Sequence, residues 1–169
     1  YNETLVETWN TSKTIDLNQN AVTSLEETVP VTSDISYLKL ILQNREGETL
    51  SDNIYWLSPD NDFRSFSKLP EPEIEITSQQ VDSEDNRTYF ITISNRGKSL
   101  ALMTELKLID PDTDLEILPS FWSDNYFSLL PGEEKAVHVE TGMNDLPDNI
   151  MLKYKAFNMK NPAYHQPLE

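Results

Sequence analysis

The chain has 169 residues, with 13 basic and 29 acidic side chains and a formal net charge of −16 at pH 7. Such a charge repels nucleic-acid phosphates and anionic membrane surfaces, so we expect neither as a partner. The chain contains no cysteine, which excludes disulfides, thiolate metal sites and thiol catalysis.

The N-terminal part contains short runs of apolar and β-branched residues, which are typical of strands. Asn44-Arg45-Glu46-Gly47 predicts a hairpin turn between Ile35–Gln43 and Thr49–Leu57. The polar stretch Ser58–Phe63 predicts a boundary, which divides the chain into 1–62 and 63–169. The strands predicted before this boundary are Thr4–Trp9, Thr14–Leu17, Ala21–Val29, Ser36–Gln43 and Ile54–Leu57.

The second part alternates apolar and polar residues with a period of two, the pattern of strands with one buried face. Turn residues separate these runs, and Asn95-Arg96-Gly97-Lys98 predicts a hairpin while Asp110–Asp114 predicts another turn. The polar tail Asn161–Glu169, with His165, is expected to be loosely ordered. The alternating runs are Glu73–Thr77, Thr88–Ser94, Leu100–Leu108, Val137–Glu140 and Ile150–Ala156.

Many short strands separated by turns predict an all-β, immunoglobulin-like β-sandwich. Residues 63–169 are close to the ~100 residues of one complete sandwich, whereas 1–62 are too few and predict an incomplete unit. Such a unit would leave an exposed sheet edge, which favours self-association with another copy. The chain begins at Tyr1 without a signal-peptide pattern, so we expect an internal or C-terminal portion, or a mature product.

Candidate catalytic and metal-binding patterns fail on inspection. Asp110, Asp112 and Asp114 have the spacing that begins a calcium loop, but Leu115 and Phe121 replace the glycine and glutamate it needs. His138 lies within a predicted strand, and the chain contains no G-x-S-x-G motif. We therefore expect no catalytic, cofactor-binding or metal-binding residue in this chain.

Aromatic residues allow two interpretations. In sandwiches they usually fill the core or a domain interface, which is the preferred interpretation here. The alternative is a carbohydrate-binding module that stacks sugars on exposed rings. Trp56, Trp122 and Tyr126 are the candidates for either contact, chosen from a set that also includes Trp9, Tyr55 and Phe127.

Five phrases stand in order along the chain: SDNIYWLS (51–58), FRSFSKLP (63–70), ITISN (91–95), SDNYFSLLPGE (123–133) and KAFN (155–158). The first resembles the close of the immunoglobulin-like domain that follows the barrel in glycoside hydrolase family two. The match is to the branch of β-mannosidases and exo-β-D-glucosaminidases. The second is similar to that family's linker, and the third and fourth resemble its C-terminal immunoglobulin-fold domain. The fifth lies where relatives often have Gly-Trp-Asn and is a looser match.

The resemblance implies a non-catalytic C-terminal accessory region of a retaining β-glycosidase acting on β-mannosides or β-glucosaminides. In that family, two glutamates of an upstream (β/α)8 barrel perform the hydrolysis, and such a barrel needs ~250 residues. No position here matches their motifs, so no catalytic residue is carried over. The resemblance also implies that the upstream barrel is a partner within the same polypeptide. An exported protein, periplasmic or extracellular, is expected on the same ground.

Overall fold

The computed structural model describes residues 1–2, 4–15, 22–24, 27–30, 35–83, 86–142, 146–147 and 149–165. The chain divides into two compact units, Tyr1–Phe63 (unit 1) and Arg64–Glu169 (unit 2). Each unit is described by itself below.

Unit 1 contains an antiparallel hairpin of β1 (Ser36–Gln43) and β2 (Thr49–Leu57). Asn44 closes the turn, because its Oδ1 accepts hydrogen bonds from the backbone N–H groups of Glu46 (3.1 Å) and Glu48 (2.8 Å). Gly47 adopts the positive φ of +84° that this turn requires. The hairpin predicted at Asn44–Gly47 is confirmed.

The strand predicted at Thr4–Trp9 is wrong. The side-chain carbonyl of Asn2 accepts hydrogen bonds from the backbone N–H groups of Thr4 and Val6, both at 3.0 Å. Leu5 has φ +60°, so these residues form a turn stabilised by an asparagine side chain. The strands predicted at Thr14–Leu17 and Ala21–Val29 lie partly outside the described residues, and their described positions belong to no strand.

Unit 2 contains two antiparallel sheets. A 3-10 helix, Arg64–Lys68, precedes them. The strands are β3 (Ile74–Asp82), β4 (Asn86–Asn95), β5 (Ala101–Ile109), β6 (Ser120–Trp122), β7 (Phe127–Leu129), β8 (Glu134–Gly142), β9 (Met151–Lys155) and β10 (Ala163–His165). One sheet has the strand order β3-β4-β8-β6 and the other has the order β10-β9-β5-β7.

The core of unit 2 lies between the two sheets. Alternate residues of each strand point inward, as the period-two pattern predicts. Burial of these apolar side chains is the main force that holds the sheets together. The all-β, immunoglobulin-like sandwich is therefore confirmed. The first sheet contributes Ile76, Tyr89, Ile91, Ile93, Val137 and Val139, and the second contributes Ala101, Leu106, Leu108, Phe127, Leu129 and Leu152.

The hairpin predicted at Asn95–Lys98 is wrong. β4 pairs with β3 and β8, whereas β5 pairs with β7 and β9, so this turn carries the chain from one sheet to the other. The Arg96 N–H donates to the carbonyl oxygen of Glu73 at 2.8 Å, which turns the chain away from the end of β4. Turn residues specify a change of direction, but they do not specify which strand comes next in the sheet.

His165 is more ordered than the sequence indicates. It lies in β10, opposite Leu152 of β9, and its Nε2 is 3.3 Å from Ser78 Oγ of β3. This contact joins the outer strands of the two sheets, and burial lowers the pKa of His165. The remainder of the predicted tail, residues 166–169, lies outside the described residues.

Candidate functional site

Asn125 attaches the segment 123–133 to the second sheet. Its Oδ1 accepts a hydrogen bond from the Leu106 N–H and its Nδ2 donates to the Leu106 carbonyl oxygen, both at 2.9 Å. A bulge in β5 around Met103, with φ +47°, interrupts the pairing with β7. The Met103 N–H instead donates to Ser128 Oγ at 3.0 Å. Side chains thus replace the missing backbone pairs and fix this segment on β5.

Asn95 attaches the other end of the segment. The backbone N–H of Asn95 donates to the backbone carbonyl oxygen of Glu133 at 2.9 Å, and the Gly132 N–H donates to the backbone carbonyl oxygen of Asn95 at 2.8 Å. Gly132 has φ +80°, which a glycine adopts without strain. The turn before β8 is therefore held against the end of β4.

Tyr126 lies at the edge of a charged groove on the outer face of the second sheet. As an aromatic residue next to Phe127 it is of a type that suits a strand, but its φ of +58° puts it in the turn before β7. This turn directs its hydroxyl to Glu105, where it donates a hydrogen bond to Oε1 at 2.7 Å. The groove, of about 310 Å³, is lined by Glu105, Lys107, Ile109, Asp114, Glu116, Lys153, Tyr154, Lys155 and Pro162.

Ion pairs connect the acidic and basic side chains of the groove. Lys107 Nζ lies 3.0 Å from Glu105 Oε1 and 4.0 Å from Glu116 Oε2, and Lys153 pairs with Asp114. The hydrogen bond from Tyr126, supported by Lys107, lowers the pKa of Glu105. The same bond raises the pKa of the Tyr126 hydroxyl, and Glu105 raises the pKa of Lys107. The groove therefore presents acidic and basic side chains that pair with each other.

The opposite outer surface of unit 2 has a different chemistry. We call the outward residues Val81, Phe90, Phe121 and His138 of the first sheet the aromatic face. Phe90 is 50% exposed and Phe121 is 67% exposed. Phe90 lies directly opposite His138 across β4 and β8, with ring centroids 6.0 Å apart. The sequence places Phe90 on a face with Thr88, Thr92 and Ser94, which is the signal from which this surface could have been found.

The proposed aromatic contacts do not form a common platform in unit 2. Trp122 lies in β6 of the first sheet and packs against the core. Tyr126 lies in the turn before β7 of the second sheet and is 56% exposed. Phe127 is buried in the core. Trp56 belongs to unit 1, where its ring meets Phe63 edge-on with centroids 6.3 Å apart. Contact of Trp56, Trp122 or Tyr126 with a carbohydrate or another domain stays a prediction.

The aspartates of the turn after β5 are engaged by their own surroundings. Asp110 accepts hydrogen bonds from the Asp112 N–H and the Thr113 hydroxyl, both at 2.9 Å. Asp114 pairs with Lys153, as described above. Within the described residues no cluster of three or more histidine or acidic side chains could hold a metal ion. The same part of the chain contains no helix long and apolar enough to cross a membrane.

Comparison with known proteins decides the family. Residues 53–159 match the family model described as the exo-β-D-glucosaminidase Ig-fold domain. This chain belongs to that family. The resemblance to the C-terminal immunoglobulin-like domains of family-two glycoside hydrolases is thereby confirmed. Of the two branches predicted, the match is to the exo-β-D-glucosaminidases and not to the β-mannosidases. The Ig-fold match begins inside β2, and the division into 1–62 and 63–169 stays a prediction.

Individual relatives agree with this assignment. The chain is similar to an exo-β-D-glucosaminidase of Arthroderma benhamiae, with 27% identity over 59% of this chain and 13% of the relative. It is also similar to one of Amycolatopsis orientalis, with 29% identity over 70% of this chain and 14% of the relative. The chain thus spans only 13–14% of the length of these two exo-β-D-glucosaminidases.

A solved structure confirms the fold of this Ig-fold chain. The exo-chitosanase CsxA of Amycolatopsis orientalis superposes with a TM-score of 0.70 at 22% identity. The superposition covers 80% of this chain and 18% of CsxA. At this identity the likeness concerns the fold alone.

Proposed function

We propose that this chain is a non-catalytic accessory region of a larger exo-β-D-glucosaminidase, a glycoside hydrolase, with a structural and interdomain role. The observation that carries the proposal is the match of residues 53–159 to the Ig-fold domain of that enzyme. The curated relatives devote most of their length to other regions, since this chain covers only 13–14% of them. The partner is the upstream catalytic barrel of the same polypeptide.

The chemistry of the groove supports a role other than hydrolysis. A glycosidase needs a general acid that stays protonated near neutral pH, which requires a raised carboxyl pKa. The pKa of Glu105 is shifted in the opposite direction by Tyr126 and Lys107. Asp114 and Glu116 are paired with the ammonium groups of Lys153 and Lys107. Glu105 is thus a poor proton donor to a leaving group.

Residues 1–62 fit the later part of a second immunoglobulin-like unit. The earlier part of that unit would lie upstream in the same polypeptide. The described sheet of unit 1 has two strands only, and a hairpin of two strands is marginally stable by itself. Leu40, Ile41, Leu42 and Leu50 of this hairpin are all more than half exposed. These side chains become buried if further segments of the polypeptide pack against the faces of this hairpin, as in a complete sandwich.

Carbohydrate binding is the second candidate, and one observation favours it. Tyr126 exposes more than half of its surface beside a groove that contains both hydrogen-bond donors and acceptors. A sugar ring could stack on Tyr126 while its hydroxyl and amino groups bond to Glu105 and the lysines. This function requires measurable affinity of the chain for glucosamine oligomers, and Tyr126→Ala must abolish that affinity.

Hydrolysis of p-nitrophenyl β-D-glucosaminide tests the main proposal. The intact polypeptide that carries this chain is expected to release p-nitrophenol, whereas residues 1–169 alone release none above the buffer rate. Calorimetry of residues 1–169 with glucosamine oligomers, run on the same preparation, separates the second candidate. Turnover by residues 1–169 alone would show that the accessory role is wrong.

A further inference from the structure

The aromatic face of the first sheet has no partner within the described residues of unit 2. Its members come from four adjacent strands, and Phe90 and His138 are direct cross-strand partners. Val81 lies diagonally from Phe90 and Phe121 lies diagonally from His138, because their direct partners are Thr88 and Glu140. Val81 is 46% exposed, and the two phenylalanine rings are exposed to a similar or greater degree. Exposed apolar patches of this kind on a folded domain mark contact surfaces.

We propose that the aromatic face packs against the upstream part of the same exo-β-D-glucosaminidase polypeptide. This inference rests on the proposed function and specifies which surface of unit 2 performs the interdomain role. The contact would bury Phe90 and Phe121 as its central anchors, with Val81 and His138 beside them. Aromatic anchors at the centre of a contact supply most of its stability.

The opposite outer surface is less suited to this contact. There, Glu105, Lys107 and Tyr126 bond to one another, and Lys153 interacts with Asp114 and lies over the Tyr164 ring. Burial against an apolar surface would strip water from these charged groups at a large cost. Its polar groups are already engaged while they remain in water, so this surface is stable when exposed.

The distribution of charge on the aromatic face argues for a protein surface as the occupant. The middle rows of the face are Thr77–Thr92–Ala136, Gln79–Phe90–His138 and Val81–Thr88–Glu140–Phe121. Glu140 is the one carboxylate of these three rows. The next row of the same face, Glu75–Ser94–Glu134, contains two more, which lie beyond Thr77 and Ala136 and away from the two phenylalanines. A cationic amino-sugar would be recognised by carboxylates, whereas an uncharged, partly apolar protein surface fits the residues present.

Covalent connection favours the same polypeptide over a second copy. The chain spans 13–14% of the relatives' length, so most of each relative is available as a tethered surface. A tethered partner has an effective concentration on the order of millimolar. In dilute solution such a partner occupies the aromatic face before a second copy can.

Hydroxyl-radical footprinting of the intact polypeptide tests the proposal. Labelling rates are divided by those of the same polypeptide unfolded in urea, so that intrinsic reactivity cancels. We expect Phe90 and Phe121 to lose labelling to the level of the buried core residue Phe127. Leu115, which is 67% exposed on the turn after β5, serves as the matched control for Phe121 and should stay labelled.

A double variant provides the second measurement. Phe90→Thr and Phe121→Thr place a β-branched residue, which suits a strand, at each position and remove the rings. Loss of the Phe90 ring by itself uncovers His138, so the labelling of His138 should rise more in the intact polypeptide than in residues 1–169 alone, whereas Tyr164→Thr on β10 should leave it unchanged in both. A larger rise in the intact polypeptide supports the docking surface, and an equal rise in the two contradicts it.

Three outcomes would overturn the proposal. Phe90 and Phe121 could label at the rate of Leu115, which means that the face is exposed in the enzyme. Their protection could disappear on dilution, which identifies a second copy as the occupant. Protection of the two phenylalanines could appear only when glucosamine oligomers are added, which identifies a sugar as the occupant of the aromatic face. Hydrolysis by residues 1–169 alone is measured separately, so failure of the accessory role and failure of this docking surface are distinguishable.

Discussion

At the scale of single residues, Asn95 is a buried amide that joins the end of β4 to two other segments. Its Nδ2 donates to the carbonyl oxygens of Ser99 (2.7 Å) and Leu129 (3.0 Å), and its Oδ1 accepts from the Gly97 N–H (3.1 Å). Its side chain is fully buried. Every polar atom of this side chain therefore has a partner inside the protein, although the sequence marks Asn95 only as a turn residue.

Replacement of Asn95 should destabilise unit 2. Asn95→Leu leaves the two carbonyl oxygens and the N–H without their partner, so we expect the free energy of unfolding to fall by about 2–4 kcal/mol. Urea denaturation followed by tryptophan fluorescence measures this change. The exposed Asn161→Ala should change stability by less than about 0.5 kcal/mol. A loss at Asn95→Leu no larger than at Asn161→Ala would contradict the assignment.

The Tyr126–Glu105 hydrogen bond makes stability depend on pH. Because the pKa of Glu105 is lowered in the folded state, the contribution is fully present above the unfolded-state pKa of about 4.3. It is lost as the pH falls through the folded-state pKa. Tyr126→Phe should therefore reduce stability at pH 7 by at most about 1 kcal/mol, since Tyr126 is largely exposed.

Urea denaturation of the wild-type chain and Tyr126→Phe at pH 7 and pH 3 measures this dependence. The difference between the two proteins should shrink at pH 3, and an NMR titration should show a higher pKa for Glu105 in the variant. Tyr164→Phe is the control, because it removes a hydroxyl from the same face without touching Glu105. An equal difference at both pH values would show that the bond does not set the pKa of Glu105.

At the scale of elements, the turn between β4 and β5 needs a residue without a side chain. A Cβ placed on Gly97 would lie 2.8 Å from the backbone nitrogen of Glu73 and 3.2 Å from its Cβ. A backbone atom cannot move aside as a flexible side chain can. The close approach exists because this turn crosses from one sheet to the other over the start of β3.

Substitution of two glycines by alanine tests this approach. Gly97→Ala should lower the free energy of unfolding by about 1–3 kcal/mol because of the overlap with Glu73. Gly142→Ala, at the end of β8, should be within about 0.5 kcal/mol of wild type, since nothing lies within 4 Å of the added Cβ. Thermal unfolding of both variants measures the contrast, and equal midpoints would refute the crossover geometry.

Elements that depend on local pattern were predictable. The alternation of Ile91 and Ile93 with Thr92, and of Val137 and Val139 with His138, correctly places these strands and their buried faces. The errors arise where a side chain replaces a backbone bond or where partners are distant. Within Thr4–Trp9, Thr4 and Val6 donate hydrogen bonds to the side-chain oxygen of Asn2. Tyr126 has a positive φ beside Asn125, whose side chain bonds to Leu106 of β5.

At the scale of the whole molecule, the two units differ in completeness. Unit 2 encloses a core between two four-stranded sheets, whereas the described sheet of unit 1 has two strands. Self-association through an exposed edge of unit 1 stays a prediction, and completion by upstream strands of the same polypeptide is the competing outcome. The aromatic face adds a second surface that is suited to contact with the same polypeptide.

By itself, the sequence determined the alternation of apolar and polar residues in the strands, the turns and the net charge. It also contains the ordered phrases that place the chain among Ig-fold domains. These properties are local, since side-chain direction alternates along a strand whatever its neighbours are. Only the tertiary structure decided that Asn95–Lys98 joins two sheets, that Tyr126 bonds to Glu105 and that Phe90, His138 and Phe121 share one surface. Each of these depends on which strands pair, a choice made by burial between segments far apart in the chain.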